Sequence, residues 1–119
     1  MIEEMTASNT IEFDDFLKID IRAGKITAAE RVLKSDKLLK LTVDFGAMGS
    51  RQIIAGIGKS YSPEVLVGTI TSFVVNLAPR KLMGLESHGM ILAGENLLTP
   101  GDVTISFFVS AVTLGGRVG

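Results

Sequence analysis

Ser87 and His88 are adjacent in Gly84-Leu85-Glu86-Ser87-His88-Gly89, and a serine beside a histidine could be a hydrolytic nucleophile with its base. The spacing argues against that chemistry. A nucleophile elbow carries glycine two residues before its serine, and Leu85 stands there. Adjacent residues on an extended segment also point to opposite sides, so the imidazole would face away from the hydroxyl. Gly58-Lys59-Ser60 has the ending of a phosphate-binding loop. The full pattern needs a second glycine where Ile53 stands, and a helix that opens at the lysine; Ser62-Pro63 delays any helix start. Asp14-Asp15, ahead of Phe16-Leu17, reads as a helix cap and a solubilising pair, not a cation site. His88 is the single histidine and cysteine is absent, which removes disulfides, thiolate metal sites, cysteine nucleophiles and histidine-rich metal sites within one chain. No catalytic constellation remains, and neither a cofactor nor a metal is expected.

Charge is the chemistry left. The net charge of −1 hides an asymmetry. Residues 1–20 hold six acids (Glu3, Glu4, Glu12, Asp14, Asp15, Asp20) and one base, Lys18. Residues 21–119 hold seven acids against eleven bases. A mildly basic body behind an acidic leader is compatible with a polyanionic partner. The 46% apolar and 21% charged composition is that of a folded chain, and 119 residues suffice for one domain. No apolar run approaches the roughly 18–20 residues of a membrane helix, and the acidic start does not read as a secretory signal. The expectation is a cytoplasmic protein without membrane contact.

The elements that would position these charges read mostly as strands. In residues 19–29, Ile19, Ile21 and Ala23 alternate with Asp20 and Arg22 until Gly24 interrupts, which predicts a bulge or bend there. Leu39, Leu41, Val43 and Phe45 alternate with Lys40, Thr42 and Asp44, a half-buried strand of period two. Residues 52–58, 69–77, 88–93 and 103–109 supply further strands. Ser62 as cap, Pro63 at the first position and Gly68 at the end predict one short helix. The fold class is therefore all-β: a five-stranded Greek-key barrel of the oligonucleotide/oligosaccharide-binding (OB) type. Its short helix lies between strands 3 and 4, and a β-rich C-terminal extension follows. Residues 1–10 read as a flexible acidic leader and 11–119 as the domain. Phe45 and Phe73 point inward, Phe107-Phe108 lie in an apolar run, and Tyr61 alone looks free. With so few aromatics to stack on, a nucleic-acid partner of this fold would be held through phosphates and shape.

Three stretches resemble one family. The first is Asp20-Ile21-Arg22-Ala23-Gly24-Lys25-Ile26 with Ser35-Asp36-Lys37-Leu38-Leu39. The second is Arg51-Gln52-Ile53-Ile54-Ala55-Gly56-Ile57, followed by Tyr61-Ser62-Pro63-Glu64 and Leu66-Val67-Gly68. The third runs unbroken from Asn76-Leu77-Ala78-Pro79-Arg80-Lys81-Leu82-Met83-Gly84 through Leu85-Glu86-Ser87-His88-Gly89-Met90-Ile91-Leu92-Ala93. Together they resemble the stand-alone tRNA-binding domains, a family that includes the C-terminal appendix of methionyl-tRNA synthetase. The resemblance covers roughly residues 13–105.

The resemblance implies a homodimer that grips tRNA by its structure, alone or beside an aminoacyl-tRNA synthetase. It implicates Asn76, Lys81, Met83, Ser87 and Met90, with Lys37 from the preceding strand pair. Arg80 and Lys81 would supply charge to phosphates, Asn76 and Ser87 neutral hydrogen bonds, and Met83 an adaptable apolar surface for a base. The apolar 103–114 segment is the candidate dimer interface. The CsaA-type secretion chaperones form a related branch, and for that branch the implied partner is unfolded polypeptide. Two departures stand out. Arg31-Val32-Leu33-Lys34-Ser35 occupies the place of the family's common His-Pro pair, and Leu114-Gly115-Gly116-Arg117-Val118-Gly119 matches the usual ending loosely.

Overall fold

The computed structural model describes residues 9–119, so most of the expected 1–10 leader lies outside the described residues. Strands dominate: β1 Ile21–Arg31, β2 Leu39–Asp44, β3 Ser50–Ala55, β4 Ile70–Val74, β5 Arg80–Leu82, β6 Leu85–Ser87, β7 Met90–Ile91, β8 Ala93–Glu95 and β9 Val103–Ile105. Among the described residues two single-turn α-helices accompany them, α1 Phe13–Phe16 and α2 Pro63–Leu66, with a short 3-10 turn at Gly46–Met48. Five strands form one antiparallel sheet in the order β3-β2-β1-β4-β7. β5–β6 and β8–β9 are separate hairpins.

The sheet curls into a half-barrel. No ladder joins its edge strands β3 and β7. Side chains and the β5–β6 hairpin bridge the opening instead. The Arg51 guanidinium donates to the carbonyls of Val75 and His88, and the His88 amide donates to the Gln52 carbonyl at 2.9 Å. Alternation along β2 explains the core. Leu39, Leu41, Val43 and, just past the strand, Phe45 are all fully buried. Phe45 meets Phe73 of β4 edge to face, with ring centroids 5.5 Å apart, a geometry that adds about 0.5–1.5 kcal/mol beyond burial.

Several local expectations are corrected. The bulge lies at Thr27, between Ile26 and Ala28, and not at Gly24. Gly24 serves a close approach: a Cβ there would stand 2.6 Å from both Phe45 Cε1 and Val43 Cγ1. Asp14 and Asp15 sit inside the first turn of α1, whose N-cap is Glu12, and Asp15 pairs with Lys18 at 3.1 Å. Ser62 does occupy the N-cap of α2, yet its side chain makes no capping bond. Tyr61 is not free, because it packs against the core and its hydroxyl accepts from the Ile105 amide at 3.1 Å. The C-terminal extension is less regular than expected, since β9 ends at Ile105. The chain end returns along β1: the Ala23 amide donates to the Gly116 carbonyl (2.9 Å), and Gly115 to that of Ala23 (2.8 Å).

Candidate functional site

Residues 80–87 form the tight β5–β6 hairpin. Arg80 pairs with Ser87, Lys81 with Glu86 and Leu82 with Leu85. Met83 and Gly84 make the two-residue turn, with φ of 52° and 79°. Positive φ at both central positions is the turn whose twist suits a hairpin. Cross-strand partners share a face, so Arg80, Leu82, Leu85 and Ser87 lie on one side and Lys81 and Glu86 on the other. The adjacent cations Arg80 and Lys81 therefore split between two faces of the hairpin.

Ser87 pins the hairpin to the sheet. It is buried, its hydroxyl donates to the Gly89 carbonyl at 3.0 Å, and it accepts from the Ile54 amide of β3 at 2.9 Å. Gln52 adds a second tie, its side-chain amide donating to the Glu86 carbonyl at 2.9 Å. The Ser87 hydroxyl, expected from sequence to face a partner, thus already has two internal partners. Asn76 is committed in a similar way. Although exposed, its side chain accepts from the Asp20 amide at 2.9 Å and donates to the Lys18 carbonyl at 2.6 Å. It clamps the segment before β1 onto the end of β4.

Between β3, β5 and β7 lies an open cleft of about 370 Å³. Ile54, Gly56, Leu82, Met90 and Val103 contribute to its lining, and Arg80 stands at its side. A smaller recess next to it is shared by Arg80, Ser87 and Met90. Lys37 approaches the same region, since its Cε would lie 3.9 Å from a Cβ built at Gly56. The structure thus places Arg80 and Met90 on one apolar-lined cleft, with Ser87 in the adjoining recess and Lys37 near Gly56 at the cleft wall. Met90 is half-exposed there and is not a core residue. Lys37, Arg80 and Lys81 are exposed and make no ion pair with the described residues.

Lys81 lies on the outer face of the hairpin, and Met83 is displayed at its tip, 56% exposed. Neither lines this cleft. Sequence reasoning missed Leu82, Gly56 and Val103 as lining residues. Leu82 carried a signal in its alternation with Lys81, but Val103 comes from a distant strand and carried none. His88 is half-exposed beside Glu86, with Nε2 to Oε1 3.4 Å, while the Ser87 hydroxyl is bonded to Ile54 and Gly89. Among the described residues no group of histidines or carboxylates could hold a metal ion, and no helix is long and apolar enough to cross a membrane.

A family model described as "Putative tRNA binding domain" matches residues 21–117. A methionine–tRNA ligase of Porphyromonas gingivalis is 46% identical over 108 residues, which are 91% of this chain and 15% of the ligase. The chain therefore spans about one-seventh of that relative. The crystal structure of a MetRS-related protein from Pyrococcus horikoshii superposes with a TM-score of 0.86 at 37% identity, covering 92% of this chain and 98% of the other. The chaperone CsaA from Bacillus anthracis gives a TM-score of 0.83 at 33% identity, covering 92% and 99%.

Proposed function

The chain belongs to the tRNA-binding domain family, and from that premise we propose that it is a non-catalytic module that grips tRNA by its shape. One observation carries the siting of the interface: Arg80, exposed and without an ion pair to the described residues, lines an apolar cleft beside the half-exposed Met90, and Lys37 comes near Gly56 at its wall. Two cations can hold the phosphate path while the lining accepts sugar and base surface. Lys81, on the hairpin's outer face, extends the charge to a neighbouring phosphate. Ser87 and Asn76 act as positioning residues that hold the hairpin and the end of β4. The half-barrel is the OB architecture, with α2 between its third and fourth strands.

Similarity to methionine–tRNA ligase supports a role beside a synthetase, in trans or as an associated subunit in the cytoplasm. Such a module would raise the local concentration of tRNA without new contacts at the catalytic centre. The similarity to CsaA, together with the apolar lining, favours a second reading in which the cleft takes unfolded polypeptide. Titration of bulk tRNA by fluorescence anisotropy, with single-stranded DNA as competitor, separates the two. The tRNA reading expects binding that weakens steeply with salt, through counterion release, and that DNA displaces poorly. Absence of binding at low salt, with suppression of polypeptide aggregation that survives high salt, would replace it with the chaperone reading.

A further inference from the structure

Three of the chain's five methionines lie among the described residues, and all three are exposed: Met48 at 40%, Met83 at 56% and Met90 at 45%. Methionine ordinarily fills gaps in a core. Exposure does not separate the three, but position does. Of these, Met90 alone lines the cleft proposed for tRNA and the recess beside it, and Arg80 lines both. Met48 sits on the turn after β2, and Met83 is in the hairpin turn.

The fold holds the Met90 side chain in that cleft. Met90 pairs with Val74 of β4 and Ile91 with Phe73, and Ile91 is buried while Met90 is not. A slip of one residue along β4 would exchange the two faces and bring Ile91 out of the core. The preceding Gly89 is fixed as well. A Cβ there would stand 2.9 Å from the Val74 carbonyl oxygen, and its own carbonyl accepts from Ser87. A chemical change at the Met90 thioether therefore takes effect inside the cleft.

We infer that Met90 is a reversible oxidation site at which a hydroperoxide switches tRNA binding off; the inference rests on the tRNA-binding reading. A lone pair of the Met90 sulfur attacks one oxygen of hydrogen peroxide. The S–O bond forms as the O–O bond breaks, and the proton on the transferred oxygen passes to the departing hydroxide to give water. Sulfur is oxidised by two electrons and the peroxide is reduced by two. The sulfoxide is polar and chiral where the thioether was apolar. It sets a strong acceptor beside Ile54, Leu82 and Val103 in the lining, where sugar and base surface would have to strip its water. Arg80 lines the same cleft and makes no ion pair with the described residues, so its guanidinium can donate to the new oxygen in place of a phosphate. A thiol-dependent sulfoxide reductase reverses the step, two thiols becoming a disulfide as the oxygen leaves as water.

Hydrogen peroxide is the probe. The whole chain is treated until peptide mass mapping reaches a plateau, and bulk tRNA is titrated by anisotropy before and after. Met90→Leu and Met83→Leu are treated alongside, each chain serving as its own reference. Oxidised wild type is expected to bind about tenfold more weakly than untreated wild type, because the polar oxygen must be desolvated. Its Tm should move by less than about 3 °C, since Met90 is not in the core. Methionine sulfoxide reductase with dithiothreitol should restore the affinity. Peroxide should change the affinity of Met90→Leu less than about twofold and that of Met83→Leu about as much as wild type, since only the first lacks the cleft thioether. An equal loss in wild type and Met90→Leu would overturn the proposal. So would an unchanged affinity with Met90 converted, an intact Met90 thioether where Met48 has been oxidised, or a fall in Tm that accounts for the loss. Each of these results leaves the tRNA reading standing. Failure of the untreated wild-type chain to bind tRNA at low salt would overturn both.

Discussion

Ser87 shows how a residue can belong to a site without facing its ligand. Its hydroxyl joins β3 to the hairpin by accepting from Ile54 and donating to Gly89. Ser87→Ala removes the acceptor from a buried amide, which costs about 1–3 kcal/mol. The expected outcome is a lower urea midpoint and an unchanged salt slope for tRNA, since no phosphate contact is lost. A lower slope at undiminished stability would instead make Ser87 a direct contact. Lys81 gives the opposite pattern. Lys81→Ala should reduce the slope by about one and leave the urea midpoint alone. Arg80→Ala should cost more affinity than Lys81→Ala, because Arg80 lines the cleft. An unchanged slope for Lys81→Ala would confine the RNA to the Arg80 face. His88→Ala should bind tRNA within about twofold of wild type, as an imidazole beside Glu86 makes no phosphate contact; a large loss in the same titration would put His88 in the interface.

The strands differ in how clearly they announced themselves, and β1 shows why. Its central Gly24 is where the fully buried Phe45 and Val43 press against the backbone. Gly24→Ala should destabilise the fold by about 1–3 kcal/mol, because neither side chain has room to retreat. Urea denaturation reads this directly, and a change below about 0.5 kcal/mol would show that the core yields there. From sequence, the same glycine suggested a bulge, since the pattern records only that alternation fails and not what lies opposite. β2 was legible because four apolar residues alternate cleanly with polar ones and a single face is buried. The β5–β6 hairpin was not. Its strands are three residues long, too short to display a period, and Met83-Gly84 lacks the usual asparagine at the turn. Tyr61 looked free because its partner, Ile105, stands 44 residues away. The charged and sulfur-bearing residues of the site were readable, whereas the apolar lining between them depended on tertiary contacts.

At the scale of the whole molecule, an acidic start and a basic body give the chain a dipolar charge pattern. The C-terminal part leaves Phe107 half-exposed and Val109 fully exposed, and Leu98, in the connection from β8 to β9, is 92% exposed. We expect residues 103–114 to bury this surface against a second copy of the chain, which would present two equivalent tRNA faces. Light scattering at tens of micromolar should give about twice the 12.7 kDa chain mass, and Val109→Asp should return it to the monomer value. A wild-type monomer at that concentration would contradict the dimer.

The proposed function requires that tRNA occupy the cleft beside Met90. Methionine methyl resonances, labelled with carbon-13 and followed during titration with bulk tRNA, report on it most directly. Met90 lines the cleft, Met83 tips the hairpin, and Met48 sits apart on the short turn after β2. The prediction is a saturable shift of the Met90 methyl, with Met48 unmoved. A shift at Met48 with Met90 still, or saturation of tRNA binding with neither methyl affected, would place the RNA elsewhere on the molecule.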